Sequence, residues 1–129
     1  MIRIDLTSVT PIYEQIIDGY KEAVMKGYLR EGDAVPSVRK LALDLSVTPN
    51  TVAKAYAELE RQKLIVTVRG KGTFIAKKPE ILADEGKIEE LDQKLKKLVI
   101  EYRLSGLTED ALEEKVKKLW EEFPGEVEA

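Results

Sequence analysis

The sequence predicts an α+β, mainly helical fold in which three helices and a β-hairpin form a first domain and two more helices follow. Three observations predict it. Apolar residues recur at helical spacing in three stretches before residue 62, β-branched runs flank a glycine-containing turn within residues 64–76, and helical spacing returns from Ile88 to Phe123.

The elements follow in chain order. Ile2, Ile4 and Leu6 alternate with Arg3 and Asp5, the period of a short half-buried strand. Thr10-Pro11 reads as an N-cap with proline at the first helical position. Ile12, Tyr13, Ile16, Ile17, Tyr20 and Val24 then line one helix face up to Gly27. Residues 29–36, with Gly32-Asp33 and a proline, predict a connecting loop. Ser37 caps a second helix with Val38, Leu41, Ala42 and Leu45 on one side and Arg39 and Lys40 facing elsewhere, ending at Ser46. Thr48-Pro49 repeats the cap signal for a third helix. There Val52, Ala55, Tyr56 and Leu59 share a face, opposite Asn50, Lys54, Ala57 and Arg61. Leu64–Val68 and Thr73–Ala76, around Arg69-Gly70-Lys71-Gly72, predict a hairpin.

Lys77-Lys78-Pro79 reads as a boundary between domains 1–78 and 79–129. Beyond it Ile88, Leu91, Leu95, Leu98 and Tyr102 stripe one helix, which ends at Gly106, a residue suited to a left-handed position. Thr108 caps the last helix, with Leu107 and Leu112 spaced as a hydrophobic staple. Ala111, Leu112, Val116, Leu119, Trp120 and Phe123 make its apolar face.

The 129 residues include no cysteine and no histidine, which removes disulfides, thiol redox chemistry, the usual zinc ligand sets and histidine general-base catalysis. No cofactor and no metal site is expected, and the chain does not read as an enzyme. No apolar run approaches the roughly 20 residues that span a bilayer, and the start has no signal-peptide core, so no membrane association and a cytoplasmic location are expected. The net charge of −3 is unevenly divided. Residues 1–78 hold 13 Lys+Arg against 9 Asp+Glu, residues 79–129 hold 8 against 15, and the surplus within residues 39–78 is six positive charges. A polyanion meets the local field of the surface it touches, within a Debye length of about 8 Å.

Three helices, a turn and a hairpin in this order are the parts of a winged helix-turn-helix, whose second helix of the motif enters the DNA major groove by its N-terminal end. At that end Asn50 can pair with a base or a phosphate, and the Thr48 and Thr51 hydroxyls suit phosphate oxygens. The guanidinium of Arg39 matches guanine O6 and N7. Lys54, Arg69 and Lys71 add cations, the last two in a turn that lets backbone approach phosphates or a minor groove.

These residues resemble the GntR family of bacterial transcription regulators. The stretches that carry the resemblance are Pro11-Ile12-Tyr13-Glu14-Gln15-Ile16, Gly27-Tyr28-Leu29-Arg30-Glu31-Gly32-Asp33, Pro36-Ser37-Val38-Arg39-Lys40-Leu41-Ala42, Val47-Thr48-Pro49-Asn50-Thr51-Val52, Ala55-Tyr56-Ala57-Glu58-Leu59-Glu60 and Arg69-Gly70-Lys71-Gly72-Thr73-Phe74. The resemblance implies a dimer on a short inverted repeat, with Arg39, Thr48, Pro49, Asn50, Thr51, Arg69 and Gly70 matching DNA-contacting positions. With Ser37, Lys54 and Lys71 these make the candidate DNA-binding set. Ala53 stands where the family often has arginine, which leaves open whether one contact usual in the family is made. Ser46 and Lys63 stand where glycine is frequent and are expected to alter turn geometry. The short tail is similar to the YtrA subfamily, whose members lack a large effector-binding domain.

Two amphipathic tail helices cannot cover both of their apolar faces, which argues for a homodimer through Leu91, Leu95, Leu98, Tyr102, Leu112, Val116, Leu119, Trp120 and Phe123. The sequence-based function is therefore a sequence-specific regulator, a repressor by preference, on a palindromic double-stranded DNA operator. An unidentified small-molecule effector is left open. The alternative is a protein-interaction module on the same scaffold. The acidic pairs Glu89-Glu90, Glu113-Glu114 and Glu121-Glu122 are expected to be solvated, ion-paired helix faces instead of cation sites.

Overall fold

A computed structural model of the chain describes residues 2–77 and 83–125. Its elements are α1 (Ile12–Met25), β1 (Ala34–Val35), α2 (Val38–Leu45), α3 (Pro49–Arg61), β2 (Ile65–Val68), β3 (Gly72–Ile75), α4 (Glu85–Leu104) and α5 (Glu109–Glu122). The chain divides into two compact units, Met1–Pro79 with Pro124–Ala129 and Glu80–Phe123. Lys78 and Pro79 of the expected boundary lie outside the described residues.

In the first unit α3 is the central helix and packs on α1, α2 and β2. Its apolar face is buried as its spacing requires: Val52, Ala55 and Leu59 have no exposed surface and Tyr56 almost none. Ile16, Ile17, Tyr20 and Ala23 of α1 and Leu41 and Ala42 of α2 complete the helical side of the core, and Val35, Ile65 and Ile75 close it from the sheet. One polar chain crosses this interior. The Tyr56 hydroxyl donates to the Pro36 carbonyl at 2.6 Å, so the Tyr20 hydroxyl, 2.8 Å away, supplies the proton of the bond between the two phenols. The rings themselves meet edge to face at 5.8 Å.

The caps at Ser37, Thr48 and Thr108 form as expected, each side-chain oxygen accepting from the N–H three residues on: Lys40 (3.1 Å), Thr51 (3.3 Å) and Ala111 (3.1 Å). Asp84, which the periodicity does not single out, caps α4 by accepting from the Lys87 N–H at 2.8 Å. Four helices end the same way. At Gly27, Ser46, Lys63 and Gly106 the backbone turns left-handed, and the next residue's N–H reaches back to the carbonyls of Ala23, Ala42, Leu59 and Tyr102 respectively.

Four expectations are corrected. Residues 2–6 are not a strand. Ile2 and Ile4 do pack against the core, but Leu6 is 79% exposed and no strand pairs with the segment. Its backbone is held instead by the Gln15 carboxamide, which accepts from the Asp5 N–H (2.8 Å) and donates to the carbonyls of Asp5 (3.0 Å) and Thr10 (2.8 Å). Thr10 does not cap α1. Pro11 holds the cap position without a side-chain bond and the helix starts at Ile12. Within the expected loop 29–36, Ala34 and Val35 form β1, paired antiparallel with Phe74 and Thr73, giving a sheet of order β1-β3-β2. Ser46 and Lys63 do not alter their turns. They keep φ of 56° and 63°, the left-handed geometry glycine would take.

Candidate nucleic-acid interface

The turn between α2 and α3 is three residues, Ser46 to Thr48, so the two helices are fixed close together by the left-handed Ser46 at one end and the Thr48 cap at the other. That puts Ser37 and Arg39 at the start of α2, and Thr48, Pro49 and Asn50 at the start of α3, all exposed; Thr51 is half-buried. The Thr48 and Thr51 hydroxyls lie 2.8 Å apart and already engage one another. One of the two spends its proton on that bond, so the pair keeps one O–H to donate to a neighbouring oxygen.

The exposed cations of α2, α3 and the wing tip fall into two groups. Lys40 is paired with Asp44 at 3.1 Å, and Arg61 with Glu58 at 2.6 Å. The Arg61 guanidinium and then the Gln62 amide hold the Glu58 carboxyl down to about 2, so it stays ionised and keeps Arg61 occupied. Arg39, Lys54, Arg69 and Lys71 have no carboxylate partner among the described residues. An uncompensated cation on an exposed face is the electrostatic requirement for meeting a phosphate backbone.

The wing is the β2–β3 hairpin, in register from Ile65↔Ile75 to Val68↔Gly72. Its tip closes by a bond from the Lys71 N–H to the Val68 carbonyl at 2.9 Å. Gly70 takes φ of 80° there, a conformation that a side chain disfavours, and an added Cβ would meet nothing within 4 Å. Backbone geometry, not crowding, therefore demands glycine. Arg69 and Lys71 flank it, both exposed.

Tyr13 is a member of this surface that periodicity alone does not reveal. The sequence places it on the apolar face of α1, yet Lys54 Nζ sits 3.8 Å above its ring centroid. The two residues are far apart in the chain and meet only because α1 packs on α3.

The second unit is different in character. No described residue of α4 or α5 is buried. Leu91, Leu95, Leu98, Val116, Leu119 and Trp120 are all exposed, Trp120 by 78%, and Tyr102, Leu112 and Phe123 are partly covered. Its carboxylates are ion-paired in part, Glu90 with Lys87 (3.8 Å) and Lys94 (3.3 Å). Among the described residues no group of three converges as a metal site, and no helix is long and apolar enough to cross a membrane.

Residues 12–75 match the family described as bacterial regulatory proteins, gntR family. Over 125 residues, 97% of this chain and 96% of the relative, the sequence is 44% identical to the HTH-type transcriptional repressor YtrA of Bacillus subtilis (strain 168). A crystal structure of a transcriptional antiterminator from Listeria monocytogenes EGD-e covers 100% of this chain and 97% of its own, with a TM-score of 0.88 and 40% identity. The DNA-binding domain of AraR, solved in complex with operator ORX1, covers 57% of this chain and 92% of its own, with a TM-score of 0.51 and 26% identity. With a winged helix-turn-helix, a short helical tail and a whole-length likeness to YtrA, the chain belongs to the GntR family of DNA-binding transcription regulators, not enzymes.

Proposed function

We propose that this protein represses transcription by binding, as a homodimer, a palindromic operator in double-stranded DNA. Residues 1–78 act as the DNA-binding domain and residues 79–129 as the dimerisation region. The α3 N-terminus enters the major groove with Thr48, Pro49, Asn50 and Thr51. Arg39 and the Ser37 end of α2 flank it, and Arg69, Gly70 and Lys71 meet the adjacent minor groove. One observation carries the reading: Arg39, Lys54, Arg69 and Lys71 are exposed without an acidic partner, whereas Lys40 and Arg61 beside them are neutralised. The AraR complex supports DNA as the partner class. The whole-length likeness to a repressor supports the direction of regulation.

Dimerisation follows from the tail. Apolar residues with about half or more of their surface exposed along two helices leave a face that water disfavours, and a second copy presents the same face. A two-fold protein requires a two-fold site, with half-site centres about 34 Å apart or a multiple of it. Selection of bound sequences from random duplex DNA tests the proposal. Inverted repeats at that spacing are the expected product, and enrichment of unpaired single sites, or no enrichment at low salt, would reject it.

A further inference from the structure

The exposed side of α3 carries two cations, Lys54 and Arg61. The Arg61 guanidinium is bound to the Glu58 carboxylate by three contacts of 2.6–2.9 Å. Lys54 has no carboxylate partner among the described residues; its ammonium rests on the Tyr13 ring, 3.8 Å from the centroid. Tyr13 is half-buried against the core, and its hydroxyl donates to Glu14 Oε1 at 3.3 Å. A lysine on an exposed helix ordinarily samples many rotamers. A carboxylate would hold it but cancel its charge. The ring face, whose quadrupole attracts a cation, holds it and leaves the charge intact. The ring covers one side of the ammonium; the other side faces solvent, where an anion can replace water.

We propose that Tyr13 is a positioning residue for DNA binding, its ring presetting Lys54 to receive one backbone phosphate beside α3. Through this contact α1, which holds none of the candidate DNA-binding residues, contributes to affinity. A phosphate fits better than a base edge because the ammonium is a compact charge with rotatable donors and lacks the planar fork that reads guanine. The inference rests on the operator-binding reading given above.

The test uses the full-length protein and its selected operator, with affinity measured by fluorescence anisotropy across a salt series. Lys54→Gln lowers the slope of log K against log salt by about one. Tyr13→Leu lowers affinity roughly two- to five-fold with the slope unchanged, since the charge is still there, and Tyr13→Phe, which keeps the ring, stays near wild type. In the Lys54→Gln background Tyr13→Leu has no further effect. Replacement of Tyr13 by pentafluorophenylalanine, which keeps the volume but reverses the ring's charge distribution, reproduces the Leu result without a packing change. An unchanged slope in Lys54→Gln overturns the proposal. So does a Tyr13→Leu loss that is equal in both backgrounds, or an unimpaired fluorinated variant. Arg39→Ala separates the two levels: if it weakens operator binding while Lys54→Gln does not, the operator reading stands and only the Tyr13–Lys54 inference falls. A wild-type protein that binds no duplex removes both.

Discussion

Ser46 and Lys63 hold left-handed backbone without being glycine, and an L side chain there costs about 1–2 kcal/mol. Glycine removes that cost but adds freedom to the unfolded chain. Ser46→Gly and Lys63→Gly are each expected to raise unfolding free energy by a net of about 0.5–1 kcal/mol; urea denaturation with an unchanged m-value checks this, and a destabilised variant would mean that the side chain supports its turn. The residues proposed to meet DNA separate by chemistry in the same way. Arg39→Ala is expected to cost about 1–3 kcal/mol and relax preference at one base pair, whereas Lys71→Ala weakens all sequences alike and flattens the salt dependence. Equal losses on operator and random DNA in both variants would remove base reading from Arg39.

Between elements, the Tyr20–Tyr56–Pro36 chain ties α1 and α3 to the segment that delivers the Ser37 cap and Arg39. Burial, above all, raises both phenols above their usual range, and the shared hydrogen bond pushes Tyr56 further up. Below about pH 10 native and unfolded chains hold the same phenolic protons, and no stability difference arises from them. Above it the unfolded chain loses protons that the native chain keeps, so stability falls as pH rises. Tyr56→Phe leaves the Pro36 carbonyl without its donor and is expected to cost about 1–3 kcal/mol at neutral pH. Thermal melts from pH 8 to 11 should show a shallower alkaline decline in this variant than in wild type. Identical alkaline slopes would locate the titration elsewhere.

At the scale of the molecule the two units differ in what holds them. Every fully buried core residue lies between Ile16 and Ile75, so the first unit has a complete core, and the α4–α5 unit buries none of its described residues. Truncation after Lys78 is therefore expected to leave a folded monomer with weaker operator binding, because the second half-site contact is no longer linked to the first. Sedimentation and circular dichroism check this together. A truncated protein that still dimerises would move the interface to the first unit. The charge division runs along the same line in the sequence, with the positive surplus in residues 39–78 and the negative one in the tail.

Much of this was legible in local patterns. Helical faces, the caps at Ser37, Thr48 and Thr108, the hairpin with its glycine tip and the set of exposed polar residues at the α3 start all depend on neighbours within about four residues, which sequence spacing encodes directly. Tertiary structure decided the rest. The Ile2–Leu6 alternation had no partner strand and was held by Gln15, Ala34 and Val35 became a strand only because Phe74 and Thr73 lay beside them, and Lys54 met Tyr13 only across the α1–α3 seam. Each of these depends on which distant backbone or ring comes to rest nearby, and packing of the whole core, not the local period, sets that.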